Sequence, residues 1–259
     1  MKVATWNVNS LKARINRVVD WLSLNQVDIL LIQETKLKQD AFYSDRFADI
    51  GYNSAHFGQG QWNGVAVISR HEITDVKFGL QGETYDEARA ISALVGGLRV
   101  FSLYIPNGRS LDNDHYRYKL EFLDRLADEV RAQMAIDEPF LLGGDFNVAP
   151  SPVDVYDESA FEGMTHVSLD ERRRIAALSE LGLSDLYRAT NPDETVFTWW
   201  DYRNGAFHKN QGMRIDLLLG NQPILKSLSS VVVDRDERKG SGKEERPSDH
   251  APLIATFEL

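Results

Sequence analysis

Short apolar runs that end in polar residues outnumber helical stretches along this chain, and hairpin-length connections separate many of them. Strand character is read at residues 2–8, 28–33, 52–57, 64–69, 90–95, 98–105, 140–143, 197–200, 214–219, 229–234 and 253–257. Helical periodicity is confined to residues 10–26, 117–134 and 169–181. In the first helix Leu11, Ile15, Val18, Val19 and Leu22 recur on one face behind Ser10 as the N-cap. In the second, Leu120, Leu123, Leu126, Ala127 and Val130 form the inward stripe. Ser168 and Glu171 have the spacing of a capping box at the start of the third. Gly96-Gly97 is expected to turn one strand directly into the next. So many strands with so few helices favour mixed or antiparallel sheets covered by helices over a doubly wound parallel sheet. Two such sheets packed face to face give an α/β fold, a four-layer sandwich. The length of 259 residues allows one large domain or two small ones.

Composition removes several classes of function. With no cysteine there are no disulfides, thiolate zinc sites or cysteine nucleophiles, which fits a reducing compartment. No apolar run approaches the ~18 residues of a membrane span, and no apolar stretch with a small-residue cleavage site follows Met1. A soluble cytoplasmic protein is expected. The net charge of −10, from 29 basic and 39 acidic residues, argues against nonspecific coating of DNA. It leaves room for a local grip on nucleic acid, because phosphate affinity depends on where Lys and Arg cluster. No GxGxxG or P-loop follows a strand, so nucleotide-cofactor binding has no motif support.

The polar residues at strand edges carry the chemistry. Asn7 ends the first strand, and Glu34 directly follows a buried one. A carboxylate so placed needs a partner: a hard cation such as Mg²⁺ or Mn²⁺, or a salt bridge to Lys36 or Arg89. In Leu141-Leu-Gly-Gly-Asp-Phe-Asn147 the glycines permit close backbone approach, and Asp145 and Asn147 share a face if the strand continues. They are either a water-activating carboxylate beside a phosphoryl-binding amide or an Asx-type turn. Tyr104 is either a sheet aromatic or a proton donor to a leaving oxygen. Asp216 is disfavoured within a strand and needs His250 or Arg214 as its partner. The terminal Asp249-His250 pair follows a Pro-Ser turn. Trp199 belongs to an aromatic run that is either core or a platform for a sugar or base. Arg109, Arg203, Lys209 and Arg214 are candidate phosphate contacts. The stretch 235–246, with Gly240 and Gly242, reads as a solvated mobile hairpin.

Taken in order, these segments resemble the exonuclease III family of DNA-repair enzymes, in the endonuclease/exonuclease/phosphatase superfamily. The resemblance rests on the Trp-Asn start at Asn7, Ile-Gln-Glu-Thr-Lys36, Tyr-Ile-Pro-Asn107, Gly-Gly-Asp-Phe-Asn147, Asn-Gln-Gly-Met-Arg-Ile-Asp216 and Ser-Asp-His250. It covers nearly the whole chain and implies a single domain over 1–259. It also implies a monomer that cleaves phosphodiesters of double-stranded DNA with Mg²⁺, or Mn²⁺ as a substitute. The implied work is removal of nucleotides from 3′ ends, clearing of blocked 3′ termini and nicking 5′ to abasic sites. Glu34 would be the main metal ligand, with Asn7 and Asp249 nearby and Asp145, Asn147 and His250 in the same cluster. Asp145 would activate water, Asn147 and His250 would hold the phosphate, and Asp216 would orient His250. Tyr104 and Asn107 would assist the phosphate or leaving group. Trp199 and Met213 would line the sugar pocket, beside Arg109, Arg203 and Arg214. His166 lies near that pocket in sequence and is either plain surface or a group that crowds it and favours 3′ ends.

Overall fold

Five strands of this protein have almost no residue facing water, so each must be covered on both sides. They are β1 (Lys2–Asn7), buried from Val3 onward, β2 (Ile29–Gln33), β4 (Val65–Ser69), β8 (Phe140–Asp145) and β10 (Asp216–Gly220). In the computed structural model, which describes residues 1–82, 85–136, 138–240 and 246–258, they form the middles of two six-stranded sheets. The first sheet adds β3 (Asn53–Phe57), β11 (Leu228–Val233) and β12 (Leu253–Phe257), in the order β11-β12-β1-β2-β4-β3. The second adds β5 (Ile73–Phe78), β6 (Ala90–Val95), β7 (Leu98–Tyr104) and the short β9 (Ser184–Asp185), in the order β5-β6-β7-β8-β10-β9. Each sheet has one parallel pair, β1 with β2 and β7 with β8; the other pairs are antiparallel.

The inner faces share one core, in which Val3, Leu31 and Val67 of the first sheet meet Ala93, Leu141 and Leu218 of the second. Helix α1 (Ile15–Asn25) covers the outside of the first sheet through Val18, Trp21 and Leu22. Helices α3 (Asp114–Met134) and α4 (Leu169–Glu180) cover the outside of the second. This is the expected four-layer α/β sandwich. The short helices α2 (Ser44–Ala48), α5 (Leu186–Thr190) and α6 (Gln222–Lys226) fill connections. Among the described residues, no helix is long and apolar enough to cross a membrane.

Gly96 and Gly97 turn β6 into β7 with φ of 57° and 85°, the two positive angles of the favoured hairpin turn. The Ser168–Glu171 capping box forms as expected. Other expectations are corrected. Helix α1 starts at Ile15 rather than at Ser10, whose φ is 90°. Val8, Ser10 and Leu11 instead donate backbone hydrogen bonds to the carbonyls of Gln33, Glu34 and Thr35. Residues 197–200 form no ladder strand; Trp199 makes only isolated bridges to Met213 and His250. The strand expected from Arg214 begins at Asp216. Helix α3 begins three residues before Arg117, with the Asn113 side chain capping it, and Lys119 rather than Leu120 occupies the buried stripe. Strand β5 escaped notice because as an edge strand it is exposed from Thr74 to Phe78 and shows no alternation. In the expected hairpin at 235–246, residues Arg235–Arg238 form a 3₁₀ turn with Arg238 buried. Gly242 lies outside the described residues.

Candidate active site

The two parallel pairs make the site. Because β1 runs beside β2 and β7 beside β8, all four end on one rim, and the antiparallel β10 and β12 begin there. Asn7 joins the rims of the two sheets. Its side-chain amide donates both protons, one to Glu34 Oε1 and one to Asp145 Oδ2, at 2.9 Å each. Asp145 ends β8 next to Gly144, where a Cβ would fall 2.0 Å from the Leu103 carbonyl oxygen; only glycine lets β7 and β8 approach so closely.

The strand does not continue to Asn147. That residue has φ 52°, and its backbone N–H donates to Asp145 Oδ1 at 2.9 Å, so the Asx-type turn is what forms. The turn nevertheless leaves both side chains lining the same cavity. Asn147 Nδ2 donates to the Ile105 carbonyl at 2.9 Å, and its Oδ1 accepts from Asn107 Nδ2 at 3.2 Å.

Asp216 pairs with His250 and not with Arg214. Its Oδ2 lies 2.8 Å from His250 Nδ1, while His250 Nε2 faces Asp145 Oδ2 at 3.8 Å. The Asp216 backbone is held by Thr198 Oγ1. Arg214, expected to face substrate, is fully buried and pairs with Asp154 and Asp185. A guanidinium with no exposed surface cannot reach DNA. It ties the loop before β10 to its surroundings instead.

Glu34 has φ 54° and follows β2 directly. Its Oε2 is 2.7 Å from Lys36 Nζ, so the salt bridge foreseen as an alternative is present, while Arg89 pairs with Glu87. Lys36 also donates to Asn9 Oδ1, and Asn9 Nδ2 donates to Asp249 Oδ1 at 3.0 Å. The other oxygen of Asp249 accepts from Trp199 Nε1 at 3.1 Å.

These groups open on a cavity of about 540 Å³. Glu34, Tyr104, Asn107, Asp145, Asn147, Asp249 and His250 form its polar floor; Phe161, Met164, Trp199, Met213 and Ile215 form its apolar wall; Arg109 and Arg203 stand at its rim. Lys209 is exposed and does not line it. Glu34, Arg109, Asn147 and His166, all cavity residues, hold left-handed φ without being glycine. Such strain persists only where the surroundings enforce it.

Burial and crowded charge set the protonation. Burial pushes Asp145 up to about 7, opposed by His250 and reinforced by Asp216 and Glu34. Burial alone would lower His250, but the Asp216 and Asp145 carboxylates override it and carry it to about 10. Tyr104 is held well above the usual tyrosine value by burial and by the charges of Glu34 and Asp145, so it stays a donor. Burial would raise Asp249, yet His250 and the Asn9 and Trp199 hydrogen bonds hold it below the ordinary range.

Sequence alone does not single out Lys119, and it leaves His166 with two readings. His166 is not plain surface: it lines the cavity, with Nε2 3.2 Å from both Asn147 Oδ1 and Asn107 Nδ2. Burial, then the Lys119 charge, depress it to about 3, so it is neutral. Lys119 is fully buried beneath the floor and donates to the carbonyls of Asn147 at 2.6 Å and Asn107 at 3.3 Å. It pairs with Glu171, which also accepts from the His166 backbone N–H at 2.9 Å. The available signal was spacing: Lys119 shares the inward face with Phe122, Leu123 and Leu126.

Comparison with known proteins gives a consistent family of likenesses. The endonuclease/exonuclease/phosphatase family model matches residues 4–250. Exodeoxyribonuclease III of Haemophilus influenzae is 30% identical over 270 residues, covering 99% of this chain and 100% of that protein. An AP endonuclease structure from Archaeoglobus fulgidus superposes with a TM-score of 0.95 at 36% identity, with 100% of both chains covered. A 3′ phosphatase from Neisseria, NExo, bound to a product DNA hairpin, gives 0.96 at 38% identity, again over 100% of both chains.

Proposed function

Given that this chain belongs to the endonuclease/exonuclease/phosphatase family, in its exodeoxyribonuclease III and AP endonuclease branch, we propose that it is a metal-dependent DNA phosphoesterase acting chiefly at 3′ termini. The observation that carries the reading is the position of Asp145, which Asn7 joins to Glu34 on one side and which His250 faces on the other.

The residues fit a hard divalent ion. The donors are carboxylate and amide oxygens, and no thiolate competes. Ligand atoms of Asp145, Asp216 and His250 lie within 4.8 Å of one another, and Asp216 Oδ1 is buried with no hydrogen-bond partner among the described residues. Glu34 and Asp145, steadied by Asn7, are the residues we assign to Mg²⁺ or Mn²⁺; Asn147, Asp249 and His250 complete its surroundings. When bound, such an ion supplies Lewis-acid stabilisation of charge on the phosphoryl and leaving oxygens.

The protein's own groups divide the rest of the work. Asp145, held by Asn7 and facing His250, takes a proton from the attacking water. His250, held cationic by Asp216, and the amide of Asn147 stabilise the added negative charge on the phosphate. Tyr104 and Asn107 donate toward the leaving oxygen. Trp199 and Met213 pack on the terminal sugar, and Arg109 and Arg203 meet the strand at the rim. Arg214 has no part in contacting substrate.

His166 favours 3′ ends over internal abasic sites. It lines the cavity within 3.2 Å of Asn107 and Asn147, and in this reading it narrows the room for an internal abasic sugar more than for a terminal phosphate. Nicking at abasic sites is therefore a secondary activity in this reading. The protein acts as a single 1–259 unit, a monomer on duplex DNA in the cytoplasm. The test is a panel of duplexes bearing a 3′-phosphate, a plain 3′ end or an internal abasic site, each in Mg²⁺ and in EDTA. The 3′-phosphate duplex should react fastest and EDTA should stop every reaction. Absence of cleavage of all three duplexes in Mg²⁺ and in Mn²⁺ would overturn the assignment.

A further inference from the structure

Outside this cavity, two buried guanidinium groups have no carboxylate partner among the described residues. Arg14 and Arg238 are 7% and 8% exposed, where an unmatched charge is costly. Arg14 spends its N–H groups on neutral oxygens: the carbonyls of Asn9, Arg246 and Pro247 and the Tyr202 hydroxyl. Among the described residues Arg238 makes one hydrogen bond, from Nη2 to the Trp200 carbonyl at 3.2 Å, and its buried Nε has no partner.

Both converge on Tyr202. The Arg238 guanidinium lies 4.8 Å from that ring's centroid and Arg246 5.9 Å, while Arg14 Nη2 is 3.1 Å from its hydroxyl. Arg235 and Arg238 also stack on Phe207, at 4.2 and 5.2 Å. This concentration of positive charge occurs in a chain of net charge −10. It borders a second cavity, of about 320 Å³, lined by Tyr202, Phe207, His208, Arg238, Lys239 and Gly240 among others. Asp201 lines both cavities, so the two adjoin. Its carboxylate is already matched by Arg203, with Nε 3.0 Å from Oδ1 and Nη2 2.7 Å from Oδ2.

We propose that this second cavity binds a backbone phosphate of the DNA duplex, distinct from the phosphate being hydrolysed. The inference rests on the DNA phosphoesterase reading above. A planar guanidinium with unused donors matches phosphate oxygens in geometry and charge. The Lys239 ammonium, paired with Asp236 at the surface, stands beside it. A phosphate here meets the Arg238 guanidinium, which makes no ion pair among the described residues, and anchors the duplex beside the active site.

The test uses the full chain in EDTA, so that nothing is cleaved, and fluorescein-labelled duplexes read by anisotropy. Single backbone phosphates are replaced in turn by uncharged methylphosphonate. Wild-type protein should lose about tenfold in affinity at one position other than the terminal phosphate. In Arg238→Gln the same replacement should cost nothing further, and the slope of log affinity against log salt should fall by about one. If Arg238→Gln does not fold, as read by its thermal melt, Lys239→Gln is scanned by the same criterion. Equal losses in variant and wild type at every internal position would overturn the subsite. Normal cleavage with no sensitive internal phosphate removes this inference alone, whereas failure to bind or cleave any duplex removes the phosphoesterase reading with it.

Discussion

Asp216 Oδ2 accepts from His250 Nδ1 at 2.8 Å, and that contact decides which nitrogen of the imidazole faces Asp145. Asp216 is thus a positioning residue that acts through His250. Asp216→Asn should leave the fold intact and lower the single-turnover rate by ~10²-fold. It should also move the His250 titration down from about 10, read by NMR of the imidazole. A rate loss without that movement would show that Asp216 works by some other route.

Lys119 and Glu171 form a buried pair under the carbonyls of Asn107 and Asn147. Lys119→Met leaves the Glu171 carboxylate buried without its cation. Denaturant unfolding should show a loss of about 3–5 kcal/mol. Lys119→Met with Glu171→Gln should recover much of it, since no charge is then stranded.

His166 holds φ 82° while filling cavity space above two polar floor residues. His166→Gly relieves the backbone and empties the pocket together. Cleavage at an internal abasic site should rise about 10-fold or more relative to 3′-phosphate removal, matching the cost of overfilling a tight site. An unchanged ratio of the two rates would mean that His166 does not govern access.

His56 stacks on Phe42 at a centroid distance of 4.3 Å and meets Thr35 Oγ1 at 2.9 Å. Burial depresses it to about 4, so the folded protein holds it neutral while the unfolded chain protonates near 6.5. Its contribution is complete above pH 6.5, is lost as pH falls toward about 4, and is constant below that. The loss amounts to at most about 3 kcal/mol. Urea unfolding between pH 7 and 4 should show this decline, and His56→Phe should flatten it.

Much of the site was legible because strand ends leave a local signature. Asn7, Glu34, Asp145 and His250 each sit at the edge of an apolar run, and the parallel pairs bring those edges to one rim. Partnership was harder to read than position. Arg214 and Asp216 are two residues apart, yet one turns toward Asp154 and Asp185 and the other toward His250. Ser10 has the residue type of an N-cap, but hydrogen bonds to the loop after β2 hold residues 8–11 out of the helix. Lys119 went unnoticed and the two readings of His166 stayed open for a common reason: a buried cation and a strained imidazole take their partners from distant segments, and helix spacing alone places Lys119 on the inward face without naming those partners.

The central claim is that Asp145, where the two sheet rims meet, activates the attacking water. The most direct measurement is the single-turnover rate of Asp145→Asn on a duplex with a 3′-phosphate in Mg²⁺, with duplex affinity measured on the same preparation. Cleavage should fall by at least ~10³-fold while affinity stays within a few-fold of wild type. A variant that binds duplex normally and still releases phosphate at close to the wild-type rate would contradict the account.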